Sequence, residues 1–300
     1  MLRGLYTAAG GMITQQRTHD TVTNNIANIN TPGFKQGYSL ARSFPQALVT
    51  AMGTDEVAAG RPNGQLGRLT TGVFAEENVS IYGQGDLEET NNPYDFALQS
   101  NIQVPGMQFD STGKSVDENG TVTFQPHAFF TMLDASGQRR YSLNGKFTVN
   151  DAGELTNASG NRLVDQTGAP IVLRDAAGEP LRDFKVTDKG IFVDRTGEAL
   201  LDANGDPLRL LITKAENPNL LMREGNGLYA IRPEDEGTLT QVLDTDVSEV
   251  RQGYIERSNV DPTQAMVDMM TAQRAYEANQ KVIQFYDRSL EKAVNEIGRI

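Results

Sequence analysis

The C-terminal segment has the most regular pattern of hydrophobic positions in the chain. From Met269 onward, residues recur with seven-residue spacing along two lines, in which Asn279 is the polar exception. The first line comprises Met269, Tyr276, Ile283, Leu290 and Ile297, and the second comprises Ala272, Asn279, Tyr286, Ala293 and Ile300. Such spacing is typical of a coiled-coil helix, in which a single buried Asn sets the register. The pattern therefore predicts a helix over residues 262–300.

The start of this helix is indicated by its own residues. Asp261 is a good N-cap, Pro262 suits the first helical position, and Gln264 stands where a capping box places its third residue. No Gly or Pro occurs from Thr263 to Ile297. The predicted helix is therefore continuous.

Residues 2–28 repeat this pattern more weakly. The residues with seven-residue spacing are Leu5, Met12, His19 and Ile26, with Leu2 and Ala9 beside the first two. Gly10 and Gly11 lie in the middle of the segment, and each Gly costs about 1 kcal/mol relative to Ala. We expect this helix to be marginal in isolation and to need a partner.

Further apolar residues lie beside the C-terminal stripe and widen it. They are Met266, Met270, Val282, Phe285 and Val294. A stripe of this width needs more than one neighbouring element to cover it. Two interpretations stay open at this point: the terminal helices pack only on each other within one chain, or they contact other copies of the chain.

An Asn-rich segment, "NNIANINTPGFK" (24–35), follows the N-terminal helix. Its asparagines, Asn24, Asn25, Asn28 and Asn30, are good caps and turn formers, and Thr31-Pro32-Gly33 stops a helix. We expect these side chains to bond exposed backbone groups where the chain turns out of the helix.

The middle of the chain predicts β structure. Between Leu133 and Leu210, turn signals such as "DASG", "NASG" and "DRTG" separate short apolar segments such as "KFTVN" and "GIFV". This spacing predicts hairpins of an antiparallel sandwich or barrel. Residues 50–67 are poor in apolar residues and predict a mobile loop or extension. The expected fold class is mainly β with α-helical termini, combining an antiparallel β body with an N/C-terminal helical coiled-coil domain.

The charge of the chain is unevenly distributed. The net charge is −12, with +2 on residues 1–40, −14 on 41–250 and 0 on 251–300. An acidic body argues against a nucleic-acid partner. No apolar stretch approaches the roughly 18 residues of a membrane span, and the N-terminus lacks the apolar segment of a cleaved signal peptide. Cysteine is absent, which excludes disulfides, thiolate metal sites and a Cys nucleophile.

Candidate chemistry is sparse. His19 lies on the helical stripe and is interpreted as an interface residue, and His127 in "FQPHAFF" has no acidic or His neighbour at metal-ligand spacing, so it is interpreted as structural. "DANGDP" (202–207) begins like a calcium loop, but Pro207 and Thr213 stand where Gly and Glu are required. It is therefore interpreted as a turn.

The remaining motifs are equally weak. "GQG" (83–85) and "GNG" (225–227) lack the third glycine and the helix of a phosphate-binding loop. Neighbouring carboxylates such as Glu88 and Glu89 point to opposite faces of an extended segment. The sequence predicts no catalytic, metal-binding or cofactor-binding residues, no cofactor, and a protein that is not an enzyme.

Both ends of the chain resemble flagellar rod and hook proteins. "NNIANINTPGFK" resembles the Asn-rich signature of that family, and "SNVDPTQAMVDMMTAQRAYEANQKVIQ" (258–284) is similar to its C-terminal signature. Residues 83–98 and 129–164 resemble its central β segment. The chain length and the opening "MLRGLYTAAGGM" look most like the distal-rod type and its paralogues in spore-forming bacteria.

The resemblance implies a domain organisation. Residues 1–35 with 256–300 would form a terminal coiled-coil assembly domain around a central channel, 36–95 with 215–255 a connecting segment, and 96–214 an outer β domain. Residues 99–128 depart from the family pattern and predict an added hairpin or a rearranged edge of the β body.

The resemblance also implies a function. The chain would be a structural subunit of the flagellar basal-body rod, polymerising into a helical tube that transmits torque from motor to hook. Its expected partners are other copies of itself, other rod and hook proteins and the type III flagellar export apparatus. It would have no nucleic-acid partner and no membrane span. Its expected location is the basal body outside the cytoplasmic membrane, reached without a cleaved signal peptide.

A secreted β-rich adhesin or binding module with a C-terminal oligomerisation helix is the alternative, and an enzyme that lacks the known motifs is a second rival class. The residues predicted to form the assembly interface are Leu2, Leu5, Met12, Ile26, Asn24, Asn25, Asn28, Met266, Met269, Met270, Tyr276, Asn279, Ile283, Tyr286, Leu290 and Ile297.

Overall fold

The fold is mainly antiparallel β with one helix near each end of the chain, as the sequence predicts. The computed structural model describes residues 2–50, 65–110, 113–117, 120–174, 181, 183–202, 204–243, 246 and 248–297. The helices are α1 (Leu2–Ala27) and α2 (Pro262–Lys292), with 3₁₀ turns at Pro218–Leu220 and Pro233–Thr238 and a π-helical segment at Ala293–Ile297.

The strands are short and follow one another along the chain. They are β1 Gly37–Ser43, β2 Ala47–Thr50, β3 Gln65–Leu69, β4 Val73–Ser80, β5 Leu87–Glu89, β6 Phe96–Ser100, β7 Lys114–Val116, β8 Val122–Phe124, β9 His127–Leu133, β10 Arg139–Ser142, β11 Thr148–Val149, β12 Leu155–Thr156, β13 Arg162–Leu163, β14 Lys185–Val186, β15 Phe192–Val193, β16 Ile212–Ala215, β17 Met222–Gly225, β18 Leu228–Ala230, β19 Leu239–Gln241, β20 Ser248–Gln252 and β21 Tyr254–Glu256.

The chain divides into two compact units. The terminal unit comprises Met1–Ile26, Gly37–Val79 and Asp261–Ile300, and the body unit comprises Ala27–Gln36 and Ser80–Val260. The chain thus passes between them four times, after residues 26, 36, 79 and 260.

Helices α1 and α2 approach closely at two glycines of the terminal unit. A Cβ atom on Gly11 would lie 3.0 Å from Nδ2 of Asn279, and one on Gly4 would collide with the hydroxyl of Tyr286. Because Gly4 and Gly11 lack a side chain, Tyr286 and Asn279 of α2 can lie directly against the backbone of α1. This close approach explains why α1 contains the two glycines although they lower its helix propensity.

The strands of the terminal unit form two-stranded ribbons. β1 pairs with β4, and β2 pairs antiparallel with β3, with Thr50 opposite Gln65. The loop predicted over residues 50–67 is therefore wrong at its two ends, where backbone pairing creates strands that the polar side-chain pattern does not reveal. Residues 51–64 of that prediction lie outside the described residues.

The end of α2 also differs from the prediction. The α-helix ends at Lys292, and Ala293–Ile297 continue as a π-helix rather than as the α-helix predicted to residue 300. Because a π turn holds more residues than an α turn, the seven-residue spacing is broken there.

A nine-stranded sheet forms the centre of the body unit. Its main order is β11-β12-β13-β9-β10-β18-β17, and β16 pairs with both β9 and β19. Strand β9 is central, and every residue from His127 to Met132 is buried. Alternate side chains of β9 enter two apolar clusters: Phe130 packs with Phe96 and Phe147, and Phe129 with Tyr141 and Tyr229. The sandwich or barrel closure stays a prediction.

Repeated turns connect the short strands. In the turn at Asp194, the Gly197 N–H donates to the Asp194 carbonyl, the Asp194 N–H donates to the Glu198 carbonyl, and the Asp194 carboxylate accepts from the backbone of Thr196 and Glu198. Gly197 has φ +90°, a conformation that favours glycine. The same arrangement occurs at Asp134 and Asp202, so the sequence signals do form hairpin turns.

The segment 99–128 contains the hairpin that the sequence predicts. Strand β7 pairs antiparallel with β8, with Val116 opposite Val122. That the segment is an insertion stays a prediction.

Candidate functional site

One side of α2 exposes large apolar side chains. Four residues of α2 that are predicted to widen the stripe have high exposed fractions, Met266 53%, Met270 51%, Val282 43% and Phe285 70%, and so has Val294 (71%) in the π-helical segment that follows. On α1, Tyr6 and Ile13 are likewise exposed. Side chains of this size and spacing form a surface that stays uncovered within the terminal unit.

The stripe itself is better covered than these flanking residues. Met269, Tyr276, Asn279, Ile283, Tyr286 and Leu290 are half-buried, and Ala272 is buried. On α1, Leu5, Met12, His19 and Ile26 are half-buried too. The side chains of Leu2 and Ile297, which the sequence also places at the interface, lie outside the described part of the structure, and Ile300 lies outside it entirely.

The first turn of α2 is capped as its sequence predicts, with one difference. The Asp261 carboxylate accepts hydrogen bonds from the backbone N–H groups of Thr263 (2.7 Å) and Gln264 (3.1 Å). The predicted capping box is wrong, however, because the Gln264 side chain donates forward to Asp268 at 2.8 Å. The Asp268 carboxylate, one turn further along the helix, competes for that amide.

The Asn-rich segment bonds to backbone after the helix. Nδ2 of Asn25 donates to the Gly37 carbonyl and Oδ1 accepts from the Gly37 N–H, both at 2.8 Å. The carbonyl of Asn28 accepts from the Thr31 N–H, and Gly33 has φ +69°. Asn25 is buried, so it is engaged within its own chain, whereas Asn24 is exposed.

The two signature segments of the chain meet in the body unit. The Gly33 N–H donates to the Glu256 carbonyl (2.8 Å), and the Asn259 N–H donates to the Phe34 carbonyl (3.4 Å). Oδ1 of Asn259 accepts from the Gln36 N–H at 2.7 Å. We call residues 33–36 with 256–259 the crossing, because the chain leaves the body unit just after each of these two segments.

A buried ion pair lies within the crossing. Nζ of Lys35 is 2.6 Å from Oε1 of Glu256, and their side chains are 0% and 2% exposed. Burial lowers the pKa of Lys35, and the charge and hydrogen bond of Glu256 oppose that shift. The same Lys35 amine donates to the Gly83 carbonyl, and the Glu256 carboxylate accepts from the Gly85 N–H.

Arg223 holds the neighbouring residues of the crossing. Its guanidinium lies 4.7 Å from the centre of the Phe34 ring, which is cation–π geometry. It also donates to the Lys35 carbonyl and to the hydroxyl of Ser80. A single side chain from β17 therefore contacts both the aromatic ring and the backbone of the Gly-Phe-Lys segment.

His127 is buried beside this region. Its ring lies 5.6 Å from the rings of both Tyr82 and Phe129, centre to centre. Burial lowers the pKa of His127 well below its ordinary value, and the Lys35 charge acts in the same direction. Among the described residues no group of three or more His, Asp or Glu side chains could hold a metal ion. Its surroundings are those of a neutral core residue.

The sequence analysis did not identify the residues of the crossing. Lys35 and Arg223 lie far along the chain from each other and from the neighbouring residues Glu256 and Asn259, and the seven-residue pattern does not include them. The available signals were only that Lys35 follows Gly33-Phe34 and that Glu256 interrupts an apolar strand.

Comparisons with known proteins agree with these observations. The family model for flagella basal body rod proteins matches residues 5–35, and the model for the C-terminal part of the FlgEFG flagellar basal body rod proteins matches residues 251–296. The flagellar hook-basal body complex protein FlhO of Bacillus subtilis (strain 168) is 34% identical over 300 residues, which is 100% of both chains.

The chain belongs to the flagellar basal-body rod protein family.

Other relatives of this rod protein are similar over nearly their whole length. The flagellar basal-body rod protein FlgG of Borreliella burgdorferi is 28% identical over 304 residues, covering 98% of each chain. FlgF of Mesorhizobium japonicum is 24% identical over 299 residues, covering 99% of each. The two matched family segments of this rod protein contain residues 33–35 and 256–259 of the crossing, so the family signatures contact one another directly.

Within the described part of this rod protein, no helix has the length and apolar character required to traverse a bilayer. One cavity there, of about 650 Å³, is lined by polar side chains such as Arg139 and Gln241 together with apolar ones such as Leu211 and Ile231. The relatives named above are rod and hook-basal-body proteins.

Proposed function

We propose that this protein is a structural subunit of the flagellar basal-body rod that polymerises with other copies of itself into a helical tube. The observation that carries the proposal is the exposed apolar face of α2, in a chain whose relatives are rod proteins. Identical subunits joined by a contact that does not close on itself form a helical filament. The tube would transmit torque from the motor to the hook.

The contact surface combines residues from both helices. The exposed residues Met266 and Met270 would contact neighbouring copies directly, together with Phe285. The predicted interface residues that are half-buried here would hold the two helices in a coiled-coil pairing around a central channel. They are Leu5, Met12, Ile26, Met269, Tyr276, Asn279, Ile283, Tyr286 and Leu290, with Leu2 and Ile297 at the ends. Asn25 is assigned to the turn after α1, and Asn24 and Asn28 flank it.

Burial of apolar surface would supply the association free energy. Each Å² of apolar area removed from water contributes about 25 cal/mol, and ordering of the terminal helices on assembly offsets part of that gain. Large exposed apolar side chains on a single helix face mark such interaction surfaces. This favours contacts with more than one neighbouring copy.

The body unit would form the outer wall of the tube and act as scaffolding rather than as an enzyme. Its packed sheet and repeated turns give a stiff unit, and its acidic surface keeps it solvated. The distal rod, or a rod paralogue of the FlhO type, is the proposed position, with other rod and hook proteins as axial neighbours. The proposed location is the basal body outside the cytoplasmic membrane, after export by the flagellar type III apparatus.

The test is deletion of the gene combined with electron microscopy of purified basal bodies. We expect a strain lacking the protein to be non-motile, with basal bodies that lack a segment of the rod, and we expect the full-length chain to restore both. A chain truncated after Asp261 should be made but should not enter basal bodies. Normal swimming and complete rods in the deletion strain would contradict the proposal, and the adhesin alternative would then return.

A further inference from the structure

Lys35 and Glu256 form an ion pair of unusual placement. They are 221 positions apart, and they lie in the two segments after which the chain leaves the body unit. Both side chains are almost completely buried. Taking two charges out of water carries a large desolvation penalty, which their mutual attraction offsets only when the geometry is favourable.

Net stability does not account for this pair. At Lys35 burial has a larger effect than pairing, because the pKa of the amine is lowered in spite of the neighbouring carboxylate. Among the described residues, Oε2 of Glu256 has no hydrogen-bond partner. Buried ion pairs of this kind can often be replaced by packed apolar residues without loss of stability, and their best-attested use is to specify one register.

The geometry of the pair is specific to one register. Oε1 of Glu256 accepts from Nζ of Lys35 at 2.6 Å and from the Gly85 N–H at 2.7 Å. Glu256 lies in β21, where it is opposite Leu87 of β5. A slip of one residue turns the carboxylate to the opposite face, and a slip of two displaces it by roughly 7 Å.

We propose that Lys35 and Glu256 are positioning residues for assembly. They hold β21 against β5 in a single register, and they thereby fix the residues at which the N- and C-terminal segments leave the body unit. This inference rests on the proposed function, because an assembling subunit needs its terminal helices to begin at the same residues in every copy.

The register can be measured directly because the chain contains no cysteine. Ile255 lies opposite Glu88, so Ile255→Cys with Glu88→Cys reports the native register by disulfide formation. Ile255→Cys combined with Asp86→Cys or with Thr90→Cys reports slips of two residues. In the otherwise unchanged chain, we expect a disulfide only between the cysteines at positions 255 and 88.

The same cysteine pairs are then introduced into the full chain that carries both Lys35→Met and Glu256→Leu. We expect its denaturation midpoint to remain near that of the unchanged chain, slipped cross-links to appear, and incorporation into basal bodies to be lost. Cross-linking in the native register alone would overturn the proposal. A large fall in the denaturation midpoint of the double variant would also overturn it, since the pair would then serve stability.

A matched control is the exposed ion pair of Arg195 and Asp183, whose side chains are 3.2 Å apart and 80% and 65% exposed. Arg195→Gln with Asp183→Asn should change neither the register nor the incorporation. If the unchanged chain and this control both fail to enter basal bodies, the proposed function fails. The cross-linking result remains a separate test of the register.

Discussion

The side-chain amide of Asn25 forms two hydrogen bonds with one residue, accepting from the Gly37 N–H and donating to the Gly37 carbonyl. Asn25 is near the end of α1, and Gly37 begins β1. The amide thus substitutes for a backbone partner at a buried position where the chain changes from helix to strand.

Replacement of Asn25 by Ala should destabilise the terminal unit. Both Gly37 groups would then be buried without partners, so we expect the free energy of unfolding to fall by about 1–3 kcal/mol. Urea denaturation with a probe placed in the terminal unit would measure this. The exposed Asn30 gives the control, since Asn30→Ala should change stability by about 0.5 kcal/mol or less. Equal effects of the two variants would contradict this assignment.

Phe285→Gln should separate stability from assembly. The ring is 70% exposed, so we expect the free energy of unfolding to change by no more than about 0.5 kcal/mol. Incorporation into basal bodies should fall strongly, because the apolar contact with a neighbouring copy would be lost. Gln284→Ala, at the adjacent exposed position, should leave incorporation unchanged. A Phe285→Gln chain that assembles normally would remove this residue from the contact surface.

Amide hydrogen exchange should show weak protection of residues 2–30 in the monomer. The fully buried residues of α1 are few, namely Ala8, Thr14, Val22 and Asn25, and Gly10 and Gly11 lower its helix propensity. We expect protection of this segment to rise in assembled material. Strong protection in a verified monomer would favour the alternative in which the helices pack only within one chain.

The stability of the body unit should depend on His127 at mildly acidic pH. Its pKa is lowered on folding, so below about pH 6.5 the unfolded chain binds a proton that the folded chain does not. Stability should therefore decrease as pH falls from 6.5, by up to about 1.4 kcal/mol per pH unit from this group. In His127→Phe that contribution should disappear, which urea denaturation at several pH values would detect. If the free energies of unfolding of the unchanged chain and of His127→Phe depended on pH in the same way, this role of His127 would be refuted.

Asp194 should stabilise its turn most strongly when ionised. Its carboxylate accepts from the hydroxyl and the N–H of Thr196, and these hydrogen bonds lower its pKa below 3.8. The stabilisation is therefore present above pH 3.8 and is lost as pH falls through the lowered pKa. Asp194→Ala should lower the denaturation midpoint at pH 7, with a smaller difference near pH 3. Asp194→Asn, which retains an acceptor, should lie between the two.

The parts of the structure that repeat along the chain could be predicted from sequence. The seven-residue spacing from Met269 predicted helix α2, and the predicted positions of that helix up to Leu290 are half-buried, with Ala272 buried. The Asp-x-x-Gly signals gave the turns, because an Asx side chain and a following glycine act within five residues.

The parts that depend on distant residues could not be predicted. Nothing local to Lys35 indicates that its partner is Glu256, and a glycine at position 11 looks unfavourable until Asn279 is placed against it. The β2–β3 pairing is made by backbone groups, and nothing local to either strand indicates its partner. The π-helical segment after Lys292 could not be predicted either, because the seven-residue apolar repeat continues through it without interruption.

The contacts of the turns and those of the crossing differ in sequence separation, and this difference predicts the order in which they form. The turn contacts join residues four apart, whereas the Lys35–Glu256 contact joins residues 221 apart. Loop closure is slower and entropically more demanding for distant residues. We therefore expect the hairpins of a newly emerged chain to form early, and the crossing to close only after most of the polypeptide has been delivered.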